Sequence, residues 1–357
     1  MVTNHSVSGN LGDTADAAPA SVARGRKVTL KDVATAAGVS TSTVSRVLDE
    51  RLPYSDSPTA RKVRDVAREL HYRKNIAASA LRRQESGTIG VVVPRLTDTV
   101  MATLFERIFA ESQRRDIFAL VSVSGDDEED IQRTISQLVQ RNVDAIVLTA
   151  ARIDSPITPS AIPTFLAVRS DDVTPTVRCD DHLGGYLAAR HLLDLGHEHF
   201  VVLPGPGFTS TARERLAGFR QALIERGREL PEERVVHSGF GLDAGLAAGM
   251  AVLKDRDLRP TAIFAANDDM AHGVVVAANM LGINVPDELS VVGYNDLPLA
   301  HQLPVQLTSV HVPFEQIAAV LLDAIESTLR NRPVHELRPV IPTLIPRQSS
   351  GPAPRRK

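Results

Sequence analysis

The chain has 357 residues, enough for about two or three domains, and with 43% hydrophobic and 23% charged residues it can bury a sizeable core. Its one cysteine, Cys179, excludes an intramolecular disulfide framework and a Cys-rich zinc site, and suits a reducing cytosol. The net charge of −3 hides a split, because residues 24–85 carry 14 Lys and Arg against 7 Asp and Glu, whereas residues 86–357 carry 26 against 34.

Residues 1–26, rich in Ala, Ser, Gly and Asp without periodicity, read as a disordered leader. The first 23 lack a charged stretch followed by an apolar one, so no secretory signal is expected. No apolar run reaches the roughly 18–20 residues of a membrane span.

Residues 27–73 form the expected basic head domain. Three short helices are read within 29–72. Thr29 caps the first, with Asp32 completing a capping box and Gly38 ending it. Ser40 caps a second helix, Thr41–Leu48, whose Val44, Val47 and Leu48 share a face away from Thr41, Ser42, Ser45 and Arg46. Ser57 caps the third, with Pro58 at the favoured first position and Val63, Val66, Ala67 and Leu70 as its apolar stripe. Two helices joined by Ala-Gly-Val-Ser make a helix-turn-helix signal. A polar second helix with hydroxyls and one Arg suits the DNA major groove. A three-helix bundle with a solvated basic surface is the plainer alternative.

Residues 74–87 read as a linker. Within it, Ile76–Arg83 has helical character but is too short to be stable alone, so it is expected to order on DNA.

From Thr88 strands alternate with helices. Strands are expected at Thr88–Val93, Phe118–Val123, Ala145–Leu148, Thr164–Val168, Phe200–Leu203, Val235–Val236, Ala262–Ala265 and Ser290–Tyr294. Helices are expected at Met101–Arg115, Ile131–Arg141, Gly184–Leu195, Ala212–Arg226, Gly245–Lys254 and Asp269–Leu281. This alternation predicts α/β doubly wound parallel sheets over residues 88–348, followed by a flexible tail, 349–357. Ligands of such sheets bind beyond the carboxyl ends of the strands. The loops there carry Arg169, Asn267, Asp268, Asn295 and Asp296 and, through Pro204-Gly-Pro-Gly207, lead to Arg213 and Arg215, a set suited to a polyhydroxylated or carboxylated small molecule. Asn267-Asp268 is equally a helix cap.

No catalytic arrangement emerges. Gly205-Pro-Gly207 lacks the Gly-Lys-Ser/Thr of a phosphate loop. His197-Glu198-His199 has no third metal ligand, and Cys179 lies next to Asp180 and Asp181, which disfavour a thiolate. No enzyme activity, cofactor or metal is expected.

The stretch Val28-Thr-Leu-Lys-Asp-Val-Ala-Thr-Ala-Ala-Gly-Val-Ser-Thr-Ser-Thr-Val-Ser-Arg-Val-Leu48 resembles the DNA-binding head of the LacI–GalR family of bacterial transcription regulators. So do Leu70-His-Tyr72, Thr88-Ile-Gly-Val91, Leu195-Gly-His197, Arg215-Leu-Ala-Gly-Phe219, Asn267-Asp268 and Val292-Gly-Tyr294. The resemblance implies a helix-turn-helix domain, a hinge helix and a two-lobed core like a periplasmic binding protein, which dimerises and holds an effector between its lobes. It implies DNA contacts from Thr29, Thr41, Ser42, Thr43, Ser45 and Arg46, and from Asn75, Ser79, Leu81 and Arg82 of the hinge, Leu81 wedging into the minor groove. For the effector it implies Asp98, Met101, Arg169, Arg215, Asn267, Asp268, Asn295 and Phe314. The sequence departs from the family pattern at Lys74-Asn75, where Pro-Asn is common, and at Leu96–Met101 after the first strand. At Asn295 an Asp is usual, and the chain has no Trp. The change at Asn295 removes a negative charge from the expected site and opens it to an anionic ligand.

The expected function is a sequence-specific DNA-binding regulator, foremost a repressor, that binds a palindromic operator as a homodimer under control of a sugar or related metabolite. It is expected in the bacterial cytoplasm at the nucleoid, with no membrane partner. The tail cannot form a coiled coil, so a dimer is expected rather than a tetramer. A small-molecule binding protein or transport receptor without a DNA role is the alternative.

Overall fold

The computed structural model describes residues 28–49, 52–73, 85–254 and 259–355. The chain divides into two compact units, residues 1–79 and 80–357. Their boundary falls inside the stretch read as linker. The leader and the hinge positions Asn75, Ser79, Leu81 and Arg82 lie outside the described residues.

In the first unit, α1 (Leu30–Ala37) starts where Thr29 and Asp32 exchange hydrogen bonds as a capping box. It stops at Gly38, whose φ of 70° most side chains would resist. Ser40 then caps α2 (Thr41–Val47) by accepting from the Thr43 N–H. Ser57 caps α3 (Pro58–Glu69) in the same way. Val33, Ala34, Ala37, Val44, Val63 and Ala67 close a small core. The three caps fix where each helix begins, and the shared core fixes how α2 lies against its neighbours.

The second unit holds two five-stranded sheets. The first has the order β2-β1-β3-β4-β5, with β1 (Thr88–Val93), β2 (Phe118–Val123), β3 (Ala145–Leu148), β4 (Thr164–Ala167) and β5 (Thr176–Val177) all parallel. α4 (Thr99–Arg114) and α5 (Glu128–Gln140) belong to this lobe. The second sheet has the order β10-β9-β8-β7-β6, from β6 (Phe200–Leu203), β7 (Ala262–Ala265), β8 (Ser290–Asn295), β9 (Thr308–His311) and β10 (Thr343–Ile345). Only β10 runs antiparallel. α6 (Asp181–Asp194), α7 (Ser210–Glu225), α8 (Leu242–Leu253), α9 (Asp268–Met280) and α10 (Leu299–Gln302) accompany this sheet. α11 (Phe314–Leu329) crosses back and packs on α4. Strands β3, β6, β7 and β8 are buried along their whole length, as expected of parallel strands covered on both faces. Among the described residues no helix is long and apolar enough to cross a membrane.

Several expected boundaries shift for one physical reason. Asp98, Asp127, Asp180, Thr209 and Asn267 cap their helices, so each begins one to three residues before the expected start. The strand read at Val235–Val236 reduces to a single bridge, Val202 to Val235. The short strands β5, β9 and β10 and the helices α10 and α11 went unread. The tail read as flexible from residue 349 is instead tied down as far as Ala353. The buried Ser349 hydroxyl donates to Val291 O and accepts from Thr308 N–H. Ser350 meets His191, Gly351 meets Ser290, and Ala353 N–H donates to Leu195 O.

Candidate functional site

Two surfaces carry candidate chemistry. On α2, Thr41, Ser42 and Arg46 are exposed, while Thr43 and Ser45 are half-buried. The Ser42 hydroxyl lies 2.7 Å from that of Ser40, and the Thr43 hydroxyl 2.8 Å. The N-cap therefore organises the hydroxyls at the start of the helix. Thr29 is exposed but engaged, since its hydroxyl donates to Asp32 at 2.7 Å. What α2 presents to solvent is a short run of hydroxyls and one guanidinium, a surface that can exchange hydrogen bonds with base edges in a major groove.

The second surface is a cleft in the larger unit, lined by Asp98, Val100, Met101, Val168, Arg169, Thr211, Arg215, Phe240, Asn267 and Asn295, with about 300 Å³ of space including its mouth. Its residues come from the carboxyl ends of β1, β4, β7 and β8, where doubly wound sheets hold ligands, from the first turns of α4 and α7, and, for Phe240, from the loop before α8. Six of the eight expected effector residues meet here: Asp98, Met101, Arg169, Arg215, Asn267 and Asn295.

Arg169 is 2% exposed. Its Nη1 donates to Asp126 at 2.7 Å, and its guanidinium lies 5.4 Å from the Phe240 ring centre. It follows Val168, a β-branched residue at φ 69°, in a tight turn closed by Arg169 N–H donating to Ala167 O at 2.8 Å. A branched side chain in this region is strained, and such strain gathers at functional sites. Asn295, at φ 101°, is a second lining residue in the left-handed region.

Arg215 is buried. Its Nε donates to Asp181 at 2.7 Å, its Nη1 donates to Ala266 O, and its guanidinium stacks 3.6 Å from the Tyr294 ring centre. Burial opposes its charge, but the Asp181 carboxylate beside it holds the guanidinium above its ordinary pKa. Burial likewise pushes the Asp98 carboxyl up, against the Met101 N–H and the charge of Arg169.

Two expected residues do not line the cleft. Asp268 is fully buried, its carboxylate accepting from the Ser309 hydroxyl at 2.6 Å and from Leu297 N–H at 2.7 Å. It fastens β9 and the loop after β8 to the start of α9. Phe314 begins α11 and packs into the core. Val100, Val168, Thr211 and Phe240 line the cleft but were not anticipated. The signal for Phe240 was Gly205 in Pro-Gly-Pro-Gly: at φ 85° it lets the Phe240 ring approach where a side chain would collide. Neither Cys179 nor His197 lines the cleft. Burial pushes the Cys179 thiol up to about 12, and the buried His197 bridges the Thr261 and Ser290 hydroxyls.

A family model described as bacterial regulatory proteins, lacI family, matches residues 29–75. Another, described as a periplasmic binding protein-like domain, matches residues 189–350. The HTH-type transcriptional regulator DegA of Bacillus subtilis (strain 168) is 35% identical over 303 residues, 82% of this chain and 89% of that protein. The ribose operon repressor of Escherichia coli (strain K12) is 31% identical over 304 residues, 83% of this chain and 92% of that protein. The crystal structure of the Lac repressor dimer bound to operator and the anti-inducer ONPF has a TM-score of 0.80 at 25% identity, covering 91% of this chain and all of that one.

Proposed function

The chain belongs to the lacI family of bacterial regulatory proteins, and from that premise we propose that it is a DNA-binding transcriptional repressor whose operator affinity responds to a small sugar-derived metabolite held in the cleft. The observation that carries the DNA role is α2, with Thr41, Ser42 and Arg46 exposed on a helix fixed by the Ser40 cap. The chain acts as a homodimer, and its two-fold symmetry calls for an inverted repeat. Thr41, Ser42 and Arg46 read base edges, with Leu81 as the minor-groove wedge. The cleft supplies control, because an effector with different affinity for two lobe arrangements shifts the population that binds DNA. The work of the protein is recognition rather than catalysis, and its place is the bacterial cytoplasm at the nucleoid.

The test is selection of bound DNA from a random pool by the full-length chain, followed by sequencing. An enriched inverted repeat supports the reading. A pool without a shared motif, retained at every salt concentration alike, contradicts it.

A further inference from the structure

Three backbone N–H groups converge on one carboxylate where the core begins. Ser86 N–H donates to Asp144 Oδ1 at 2.7 Å, Gly87 N–H to Oδ2 at 2.7 Å, and Thr88 N–H to Oδ2 at 3.3 Å. Asp144 is half-buried in the loop between α5 and β3, 56–58 residues further along the chain. The neighbouring strands complete the hold. Asp144 N–H donates to Thr88 O at 2.7 Å, and Phe118 N–H, at the start of β2, donates to Gly87 O at 2.8 Å. β1 lies between β2 and β3, so the segment that leads into it is gripped from both sides. Gly87 has φ 67°, with open space where a side chain would stand. The chain turns there in the left-handed region that favours glycine.

The register of β1 does not require this grip. Pairing with β2 and β3 sets it from Thr88 onward, yet two of the three donors, Ser86 and Gly87, lie before Thr88. A carboxylate accepts along about four directions and holds an N–H more strongly than a neutral acceptor does. Here it orders two residues that the sequence assigns to the linker. Ile76–Arg83 is read as a segment that orders on DNA, and only Gln84 and Glu85 separate it from the clamp. Two residues span at most about 7 Å, which leaves little slack to offset a change of direction at Ser86. In a homodimer the two exits are related by the two-fold axis, and their directions govern the separation at which paired heads meet half-sites.

We propose that Asp144 is a positioning residue for operator binding: with Gly87 it sets the direction in which the linker leaves the core, and so the half-site spacing that the dimer accepts. This rests on the reading of the chain as a dimeric DNA-binding regulator, and it adds to that reading a specificity residue outside the head.

The test is fluorescence anisotropy of the full chain on the selected inverted repeat, on the same repeat with one base pair inserted at its centre, and on a single half-site. Wild type is expected to bind the selected repeat at least tenfold more tightly than the lengthened one. Asp144→Ala removes the acceptor. Gly87→Ala disturbs the turn while its methyl meets nothing within 4 Å. In both variants the preference for the selected spacing should shrink at least threefold, and Gly87→Ala should bind the single half-site within twofold of wild type. The charge lost in Asp144→Ala acts on both repeats alike and cancels in their ratio. A role confined to holding up the core would weaken binding to both repeats together and leave the spacing preference intact. Circular dichroism and light scattering check the fold and the dimer, and if Asp144→Ala does not fold, Gly87→Ala decides. A spacing preference retained in the folded variants, or a wild type indifferent to the inserted base pair, overturns the inference and leaves the regulator reading standing. A wild type that selects no inverted repeat overturns both.

Discussion

The Thr99 hydroxyl donates to the Asp269 carboxylate at 2.6 Å, joining two residues 170 positions apart. Thr99 opens α4 of the first lobe and Asp269 lies in the first turn of α9 of the second, so the bond spans the cleft. It is not alone, since Arg213 reaches Asp172 at 2.9 Å and Ser170 N–H donates to the Ser210 hydroxyl at 2.8 Å. Lobe closure is thus encoded in short polar contacts around the cleft rim. Thr99→Val keeps the side-chain shape and removes the donor to a carboxylate. It is expected to lower unfolding free energy by about 1–2 kcal/mol and to raise the radius of gyration in small-angle scattering. No change in either measurement would show that the contact does not hold the lobes.

Gly218 of α7 packs against the His182 carbonyl of α6, so closely that an added methyl would fall inside van der Waals contact. Carbonyl oxygen and backbone cannot yield as a flexible side chain can. Gly218→Ala is expected to cost at least about 3 kcal/mol or to prevent folding. Gly207→Ala, whose methyl meets nothing closer than 3.8 Å, should stay within about 1 kcal/mol of wild type. Urea denaturation of the two variants checks this, and equal midpoints would refute it.

A chain ending at Gln348 loses the Ser349 hydroxyl and leaves Thr308 N–H and Val291 O without it. Two buried groups without partners predict a loss of about 3 kcal/mol or more. A chain ending at Ala353 should lie within about 0.5 kcal/mol of full length. Thermal and urea melts distinguish the cases, and equal stability of both truncations would contradict the docked tail.

Burial pushes the Asp268 carboxyl up to about 7 from its usual 3.8, so the folded protein retains a proton that the unfolded chain has released. The stability tied to that proton is complete below about pH 4, falls as pH rises toward 7, and levels off above it. Asp268→Asn has no such proton. Relative to this variant, wild type should lose up to about 1.4 kcal/mol per pH unit between pH 4.5 and 7, measured by urea denaturation. A gap that is constant with pH would show that Asp268 is ionised throughout.

The helix-turn-helix was legible because its signals are local. Caps at Thr29, Ser40 and Ser57 and the turn at Gly38 each act within four residues of chain. The sheets were legible through runs such as Thr88–Val93. Arg169, Asn267 and Asn295 were legible because the carboxyl end of a parallel strand is a position in sequence as well as in space, whereas Asp98 and Met101 rested on the family resemblance. The structural ties of Asp268 were not legible because its partners, Ser309 and Leu297, are distant in the chain, and a carboxylate at a strand end reads alike whether it meets a ligand or a loop. Phe240 and Thr211 were missed because the fold brings them in from the loop before α8 and the first turn of α7. The tail was misread because Ser, Gly and Pro resemble linker composition, and only the His191, Ser290 and Thr308 side chains around it reveal that it docks.

Operator recognition by α2 is measured by fluorescence anisotropy of the full chain on the selected inverted repeat and on the same DNA with one half-site scrambled, as wild type and as Arg46→Ala, across a salt series. Log affinity should fall linearly with log salt, and wild type should prefer the intact repeat. Arg46→Ala should lose about 1–3 kcal/mol of that preference, with its binding to scrambled DNA much less affected. Equal affinity for both DNAs, or a preference that survives Arg46→Ala intact, would contradict the account.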